Sequence, residues 1–471
     1  MLKINSIVKT TIKTFVKALL STMALSLLLV QSASAADKFA EAAPARLVDY
    51  LQIDTTNPPG NESLGVDFFA GYLRDAGIEF QRGESAPGRG NLWAKIPGGN
   101  KPGLVLINHI DVVPANAKYW SVDPLAGEIK DGFIYGRGAI DMKGLGIAQF
   151  QAFLSLAASG KKLNRDVWFI ATADEEAGGA FGAGWLVKQH PEIFKNVGFL
   201  LNEGGGGYQV DGEVGFAIEV TQKVPLWLRL TATGRPGHGS APQVETAVTR
   251  LLRAGYRITT TNFKARVIAP VHTMFSSIAE SQPAQFKNQY TDIAQHVDNS
   301  DFMLALQLRN PAHHSLLRDT CSATRLEGSA KINVVPAEVM MELDCRLLPD
   351  QDLDQFQRDL TQLIADPNIS IERIMGFSPA ISAIDTPLFE HIKAVTSQHY
   401  PGSKVIPSVS TGFTDSHFFR DLGIASYGFG PFVAKPEDFN GIHGNDEKIS
   451  IDNMIGGTQI LRDLLESFAV E

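Results

Sequence analysis

The amino-acid sequence predicts an α/β chain, a mixed sheet with helices on both faces, interrupted by an α+β insertion. Three observations carry this reading. Short continuous apolar runs at Leu92–Ile96, Leu104–Ile107, Val167–Ala171 and Phe199–Leu201 read as strands covered on both faces, since a strand with one solvated face would alternate. Alternation does appear at Leu226–Ala232 and Val339–Leu347, the pattern of half-exposed antiparallel strands in a separate sheet. After Gly376 the first pattern returns, with a helix from about Leu388 and an apolar run at Ala425–Gly428. An inserted domain over 222–378 therefore divides the α/β domain into 36–221 and 379–471.

The elements follow in order. Lys3, Lys9, Lys13 and Lys17, with no acid among them, precede the apolar run Ala18–Val30 and the small-residue site Ala33-Ser34-Ala35. That is the order of a secretory signal peptide over residues 1–35. Its 13 apolar residues fall short of the roughly 20 that span a bilayer. Removal of four lysines takes the formal charge of the 471-residue chain from −9 to −13. The expectation is an acidic protein of the periplasm or the secreted medium, with no membrane contact after cleavage. Nucleic acid is excluded as a partner because phosphate binding needs a basic surface. Gly144–Ala158 has helical spacing and stops at Gly160, a C-cap residue; Ala183–Gln189 and Ala247–Gly255 read as shorter helices. Two cysteines are too few for a disulfide framework. Cys321 and Cys345 are symmetric about Asn333, so a hairpin centred there sets them opposite each other, as a disulfide or as two buried free thiols.

Five polar clusters follow strands or occupy loops of the α/β parts. They are Asn108-His109-Ile110-Asp111, the Gly136–Gly144 segment containing Asp141, Asp174-Glu175-Glu176, Asn202-Glu203-Gly204-Gly205, and the Gly441–Glu447 segment containing His443. Open α/β sheets bind ligands beyond the carboxyl ends of their strands, so these clusters can converge at one edge. Two histidines with at least three carboxylates suit zinc better than a calcium cage or an iron–sulfur cluster.

In their order, and with this domain interruption, the clusters resemble those of the aminoacylase, acetylornithine deacetylase, succinyl-diaminopimelate desuccinylase and carboxypeptidase family of dizinc metallopeptidases. The resemblance covers essentially the whole mature chain and is closest to the carboxypeptidase S and N-acyl-amino-acid hydrolase branch. It implies a phosphorylase/hydrolase-like mixed sheet as the zinc peptidase domain, with the insertion as a lid and dimerisation domain. It implies two zinc ions per chain, replaceable by cobalt, with Asp141 bridging, His109 and Glu203 completing one site, and Glu176 and His443 the other. Asp111 then orients His109, as metal-bound histidines require. Glu175 is the general base that activates a metal-bridging hydroxide for attack on an amide, and the Asp141-Met142 peptide bond is cis. In the insertion, His238 of Gly237–Pro242 is implied to stabilise the oxyanion, sometimes across a dimer interface. Asn333 and Arg346 are implied to hold the substrate's carboxylate or carbonyl, a task that suits the planar guanidinium fork. Taken alone, His238 is a loop histidine and Arg346 a strand residue in a surface pair.

The sequence departs from the family pattern in two places. In Gly412-Phe413-Thr414-Asp415-Ser416-His417, Phe413 stands where the family has glycine and His417 where it has arginine, which puts substrate contacts from this loop in doubt. Residues 262–320 make the insertion longer than a compact lid, leaving the mode of homodimerisation open. The other histidines, including His313 and His314, read as surface residues. Glutamate at the Glu203 position accompanies carboxypeptidases and deacylases in the family, whereas aspartate accompanies its aminopeptidases. The function expected is therefore an exported dizinc hydrolase, carboxypeptidase- or aminoacylase-like, acting on peptides or N-acyl amino acids that carry a free carboxylate. The alternatives are a dipeptidase or aminopeptidase of the same family, and a non-catalytic exported binding protein, which would have no need of Glu175.

Overall fold

In the computed structural model, which describes residues 38–210, 212–434 and 441–471, the strand Lys101–His109 explains its own sequence. Leu104 and Leu106 enter one hydrophobic cluster while Val105 and Ile107 enter another on the opposite face. Both faces are covered, so every position is apolar. The leader expected at 1–35 lies outside the described residues. Among those described, no helix is long and apolar enough to cross a membrane.

The strands that matter here are β1 (Phe80–Glu84), β2 (Gly90–Ile96), β3 (Lys101–His109), β4 (Arg165–Thr172), β5 (Val197–Val210) and β6 (Glu213–Gln222). Then come β7 (Val224–Thr233), β8 (Thr320–Glu327), β9 (Glu338–Leu347) and β10 (Ile369–Gly376), and last β11 (Lys404–Ser410) and β12 (Ala425–Ala434). One eight-stranded sheet has the order β1-β2-β4-β3-β5-β12-β6-β11. β3 is parallel to β4 and β5, and β12 is parallel to β5, whereas β5 and β6 form an antiparallel hairpin. The sheet is therefore mixed, with its parallel strands at the centre. The helix Lys143–Ala158 is buried along almost its whole length because it lies between this sheet and the helix Ile451–Ala469. The opposite face is closed by Ala183–Gln189 with Phe194 and Phe419.

The second sheet, β8-β9-β7-β10, is antiparallel throughout. Along β9, Val339, Met341, Leu343, Cys345 and Leu347 are buried while the residues between them are more exposed. The buried set packs against Leu226, Leu228 and Leu230 of β7 and against two amphipathic helices, Ala247–Thr260 and Leu353–Ile364. The first helix outruns its expected end at Gly255. Thr246 and Thr249 form a capping box at its start, and Ile258 reaches the core beyond Gly255. Cys321 stands opposite Cys345 in the β8–β9 register, and the two form a disulfide.

The long segment inside the insertion is a helical unit with its own core. Phe275, Tyr290 and Leu306 from the helices Ala269–Ser277, Ala284–Thr291 and Ser300–Arg309 pack with Val409 of β11. His313 and His314 belong to this unit, which corrects their reading as surface residues. His314 is buried, and His313 Nδ1 lies 2.8 Å from the Tyr290 hydroxyl. Burial pushes both imidazoles down to about 4.

Candidate active site

Six side chains from five segments meet beyond the carboxyl ends of the central strands. His109 is the last residue of β3, and Glu203 lies within β5. Asp141 precedes the helix Lys143–Ala158 across a cis peptide bond to Met142, as the family resemblance implies. Glu175 and Glu176 form a single helical turn after Asp174, whose φ of 73° lies in the left-handed region. His443, at φ 54°, enters from the C-terminal part.

The Asp141 carboxylate divides between two imidazoles. Its Oδ1 is 3.1 Å from His109 Nε2, and its Oδ2 is 3.0 Å from His443 Nε2. Glu203 Oε1 lies 3.6 Å from His109 Nε2, and Glu176 Oε2 lies 3.2 Å from His443 Nε2. Two donor groups result, His109–Asp141–Glu203 and Asp141–Glu176–His443, with the atoms of each within 4.8 Å of one another. Three nitrogen and oxygen donors per group, with one carboxylate shared, can hold a pair of divalent cations, and this donor chemistry fits zinc. Without cations the carboxylates crowd one another. Burial and the Asp141 charge push Glu203 up to about 7. Burial and Glu203 hold Glu175 well above the ordinary carboxylate range. Hydrogen bonds to Asp141 and Glu176 raise His443 to about 10. Burial favours neutral His109, but the Glu203, Asp141 and Glu175 carboxylates outweigh it and raise its pKa.

The supporting residues only partly follow expectation. Asp111 was expected to orient His109 through its carboxylate. Instead, His109 Nδ1 meets the backbone carbonyl of Asp111 at 2.9 Å, with the carboxylate at 3.6 Å. The carboxylate accepts the backbone N–H groups of Glu175 at 3.1 Å and Glu176 at 3.2 Å, together with the Asn57 amide at 2.8 Å. It therefore fixes the turn that carries the two glutamates. Two further supports escaped the sequence reading. Buried Glu447 accepts N–H groups from Gly138, Ile140 and Asp141 and pairs with Arg137, which clamps the Asp141 loop. Asp174 pairs with Arg89, itself paired with buried Glu62, and accepts the N–H of Phe181. Nothing in the local sequence separates these acids from solvated ones.

A cavity of about 790 Å³ opens onto Asp141, Glu175, Glu176, Glu203 and His443. Trp227 and Arg346, from β7 and β9, line it from the inserted domain. Asp344 holds both, through Trp227 Nε1 at 2.9 Å and Arg346 Nε at 2.7 Å. The guanidinium lies over the Phe413 ring, and its buried Nη1 has no partner. Arg346 is thus both ion-paired and directed at the site. His238 and Asn333 do not reach this cavity. They share an exposed ribbon where His238 faces Val334 and Gly239 donates to the Asn333 carbonyl. His417, in the family's arginine position, is stacked 3.6 Å from the Phe377 ring and buried away from the cavity. Phe413 lines the cavity where the family has glycine.

The model of peptidase family M20/M25/M40 matches residues 105–467. The chain is 30% identical to N-fatty-acyl-amino acid synthase/hydrolase PM20D1 of Xenopus tropicalis, over 74% of this chain and 68% of that protein. It is 28% identical to aminoacylase-1 of Pongo abelii, over 89% of this chain and 93% of that one. The fold is similar to an M20 family metallo-carboxypeptidase from Sulfolobus solfataricus, with a TM-score of 0.71 at 19% identity, covering 90% of this chain and 98% of the other.

Proposed function

The chain belongs to peptidase family M20/M25/M40 and is a metal-dependent hydrolase; from that premise we propose an exported dizinc enzyme that hydrolyses the amide bond of N-acyl amino acids. The observation that carries the reading is Asp141 shared between two donor groups, with Glu175 beside them and Arg346 across the same cavity. Two zinc ions held by His109, Asp141, Glu203, Glu176 and His443 would polarise the scissile carbonyl and make a water acidic at neutral pH. The protein's own groups do the rest. Glu175 is buried, not assigned as a ligand, and has Oε1 unpartnered. It takes the proton of the attacking water and passes it to the leaving nitrogen. Arg346 Nη1 binds the free carboxylate of the amino-acid half and so fixes the orientation of the amide.

The leader at 1–35 supports export to the periplasm or medium. Exposed Leu252, Tyr256, Leu326, Ile332 and Val334 on the inserted domain support a homodimer through the lid, with His238 and Asn333 on its outer ribbon serving the partner's site. The test is metal analysis and light scattering on purified protein, followed by assay of acetyl amino acids, their amides and unblocked dipeptides. Two metals per chain, loss of turnover on chelation and preference for acylated free acids are expected. Full activity in metal-free protein would overturn the reading, and preference for unblocked dipeptides would favour the peptidase alternative.

A further inference from the structure

Lys223 is the one residue between β6 of the catalytic sheet, which ends at Gln222, and β7 of the inserted sheet, which starts at Val224. Its side chain is fully buried, which is rare for lysine, and it has no part in the chemistry proposed above. A lysine head group offers three N–H donors. Here each finds an oxygen: the Ser315 carbonyl at 2.7 Å, the Arg318 carbonyl at 2.8 Å and the Thr320 hydroxyl at 3.1 Å. These acceptors lie where the helical unit of the insertion ends and β8 begins. The backbone N–H of Lys223 serves the catalytic side, donating to the Ser410 carbonyl at the end of β11 at 2.8 Å. One residue thus ties the two domains together where the chain crosses between them.

The bond to Thr320 leads on to the cavity. Thr320 faces Arg346 in the β8–β9 register, and its hydroxyl donates to the Arg346 carbonyl at 3.4 Å. The residue facing Arg346 on β7 is Pro225, which has no N–H to give. Next to Thr320, Asp319 accepts the Leu348 N–H at 2.7 Å. The Cys321–Cys345 disulfide holds β8 on β9 but joins neither strand to the catalytic domain. The helical unit is seated on that domain, through the helix Ala269–Ser277 packed against β11. Without the Lys223 head group, three oxygens lose their buried donor. The corner can relieve this only by shifting, and the end of β9 carries Arg346 with it.

We propose that Lys223 is a positioning residue, which sets the inserted sheet against the catalytic sheet so that Arg346 Nη1 stays directed at the cavity. The inference rests on the reading of Arg346 as the group that binds the substrate carboxylate. It also gives residues 262–320 a task, since the end of this segment supplies the oxygens that Lys223 grips.

The test is steady-state kinetics on the metal-loaded enzyme, with an acetyl amino acid that it turns over and the amide of that substrate. The proteins are wild type, Lys223→Met, Thr320→Val, Arg346→Ala and the double variant Lys223→Met with Arg346→Ala. Methionine keeps a buried stem of similar length but has no N–H. Lys223→Met should raise KM for the free acid about three- to thirtyfold, short of the full loss of a charged hydrogen bond. Its kcat, and its KM for the amide, should stay within about twofold of wild type. Thr320→Val should act in the same direction by a smaller factor, and it decides the matter if Lys223→Met fails to fold. In the Arg346→Ala background, Lys223→Met should change KM by less than about twofold, because the two residues act as one unit. An unchanged free-acid KM in folded Lys223→Met overturns the inference, as does an equal rise for acid and amide or a rise that persists without Arg346. If Lys223→Met does not fold, an unchanged KM in Thr320→Val overturns it instead. An Arg346→Ala variant that treats acid and amide alike removes the carboxylate reading and this inference with it. A selective Arg346→Ala beside a silent Lys223→Met removes this inference alone.

Discussion

Replacing Asp111 by asparagine separates two ideas about how this site is held. The side chain is fully buried, and its two oxygens accept three donors: Glu175 N–H on Oδ1, and Glu176 N–H with the Asn57 amide on Oδ2. Asparagine has the same shape but converts one oxygen into a donor, so a backbone N–H of the turn must then face another N–H. A buried amide left without an acceptor costs about 1–3 kcal/mol, and the turn can relieve this only by moving Glu175 or Glu176. The expected loss in kcat is roughly 10–100-fold, the range found when a partner of a metal ligand is removed. The His109 contact to the backbone carbonyl of residue 111 survives the substitution, so His109 keeps its orientation. Excess zinc should therefore fail to restore turnover. The assay is kcat as a function of added zinc for wild type and Asp111→Asn, with unfolding temperatures to confirm that both are folded. If saturating zinc returns the variant to full kcat, the carboxylate acts by orienting His109, and the role assigned to it on the glutamate turn is wrong.

Glu175→Gln should lower kcat by at least about 10²–10⁴-fold with metal content retained, the scale of general acid–base catalysis. Glu176→Gln should instead lose metal at the His443 site, and metal analysis of both variants would expose an exchange of these roles. Arg346→Ala should raise KM about 10–100-fold for free acids, from the loss of a hydrogen bond to a charged group; an equal effect on amidated substrates refutes carboxylate binding. Folding without metal lifts Glu203 from an ordinary 4.5 to about 7 and His443 from 6.5 to about 10. Both then bind protons more tightly folded than unfolded. Their contribution is present at low pH, fades for Glu203 between about 4.5 and 7, and fades for His443 between 6.5 and about 10; the Glu203 share is about 3 kcal/mol at most. Asp141 shifts the opposite way, but its effect lies in the acid range below this window. His313, His314, Lys143 and Lys223, all lowered by burial, work in the opposite direction over the same range but lie outside the ligand set. The site's share is therefore read as a difference between two forms of the protein: the gap in melting temperature between metal-loaded and chelated protein should widen as pH rises from 5 to 9. A gap that closes over this range would contradict the crowding described here.

The parts of the site legible in the sequence are those whose chemistry names them. Histidines and carboxylates placed just after buried apolar runs mark ligand positions, because strand ends of an α/β sheet converge on one edge. His109 and Glu203 are found this way, and the family resemblance orders the remainder. The fold was legible for a related reason. Sheet residues covered on both faces lose their alternation, as Leu104–Ile107 do, whereas the inserted domain's strands keep it, as Val339–Leu347 do. Support residues give no such mark. Glu447 clamps Arg137 from 310 residues away, and Arg89 reaches Asp174 across 85. An acid that completes a buried pair at that distance has the same local sequence as one in water. His313 and His314 misled for the same reason, since the core that buries them is built from helices their own neighbours do not reveal.

Glycine at 206 shows the limit in its sharpest form. In sequence, four consecutive glycines read as one turn, yet the run is strand, and its members answer different demands. At 204 a left-handed backbone requires glycine, at 205 and 207 the neighbouring strands and rings do, and at 206 only the cavity does. Period-two alternation alone could have placed 205 and 207 on the face opposite 204 and 206. What lies on each face depends on β6 and β12, and β12 arrives more than 200 residues later in the chain. The open space at 206 is therefore set by contacts between distant strands, while the candidate metal ligands are marked by residue type at each strand end.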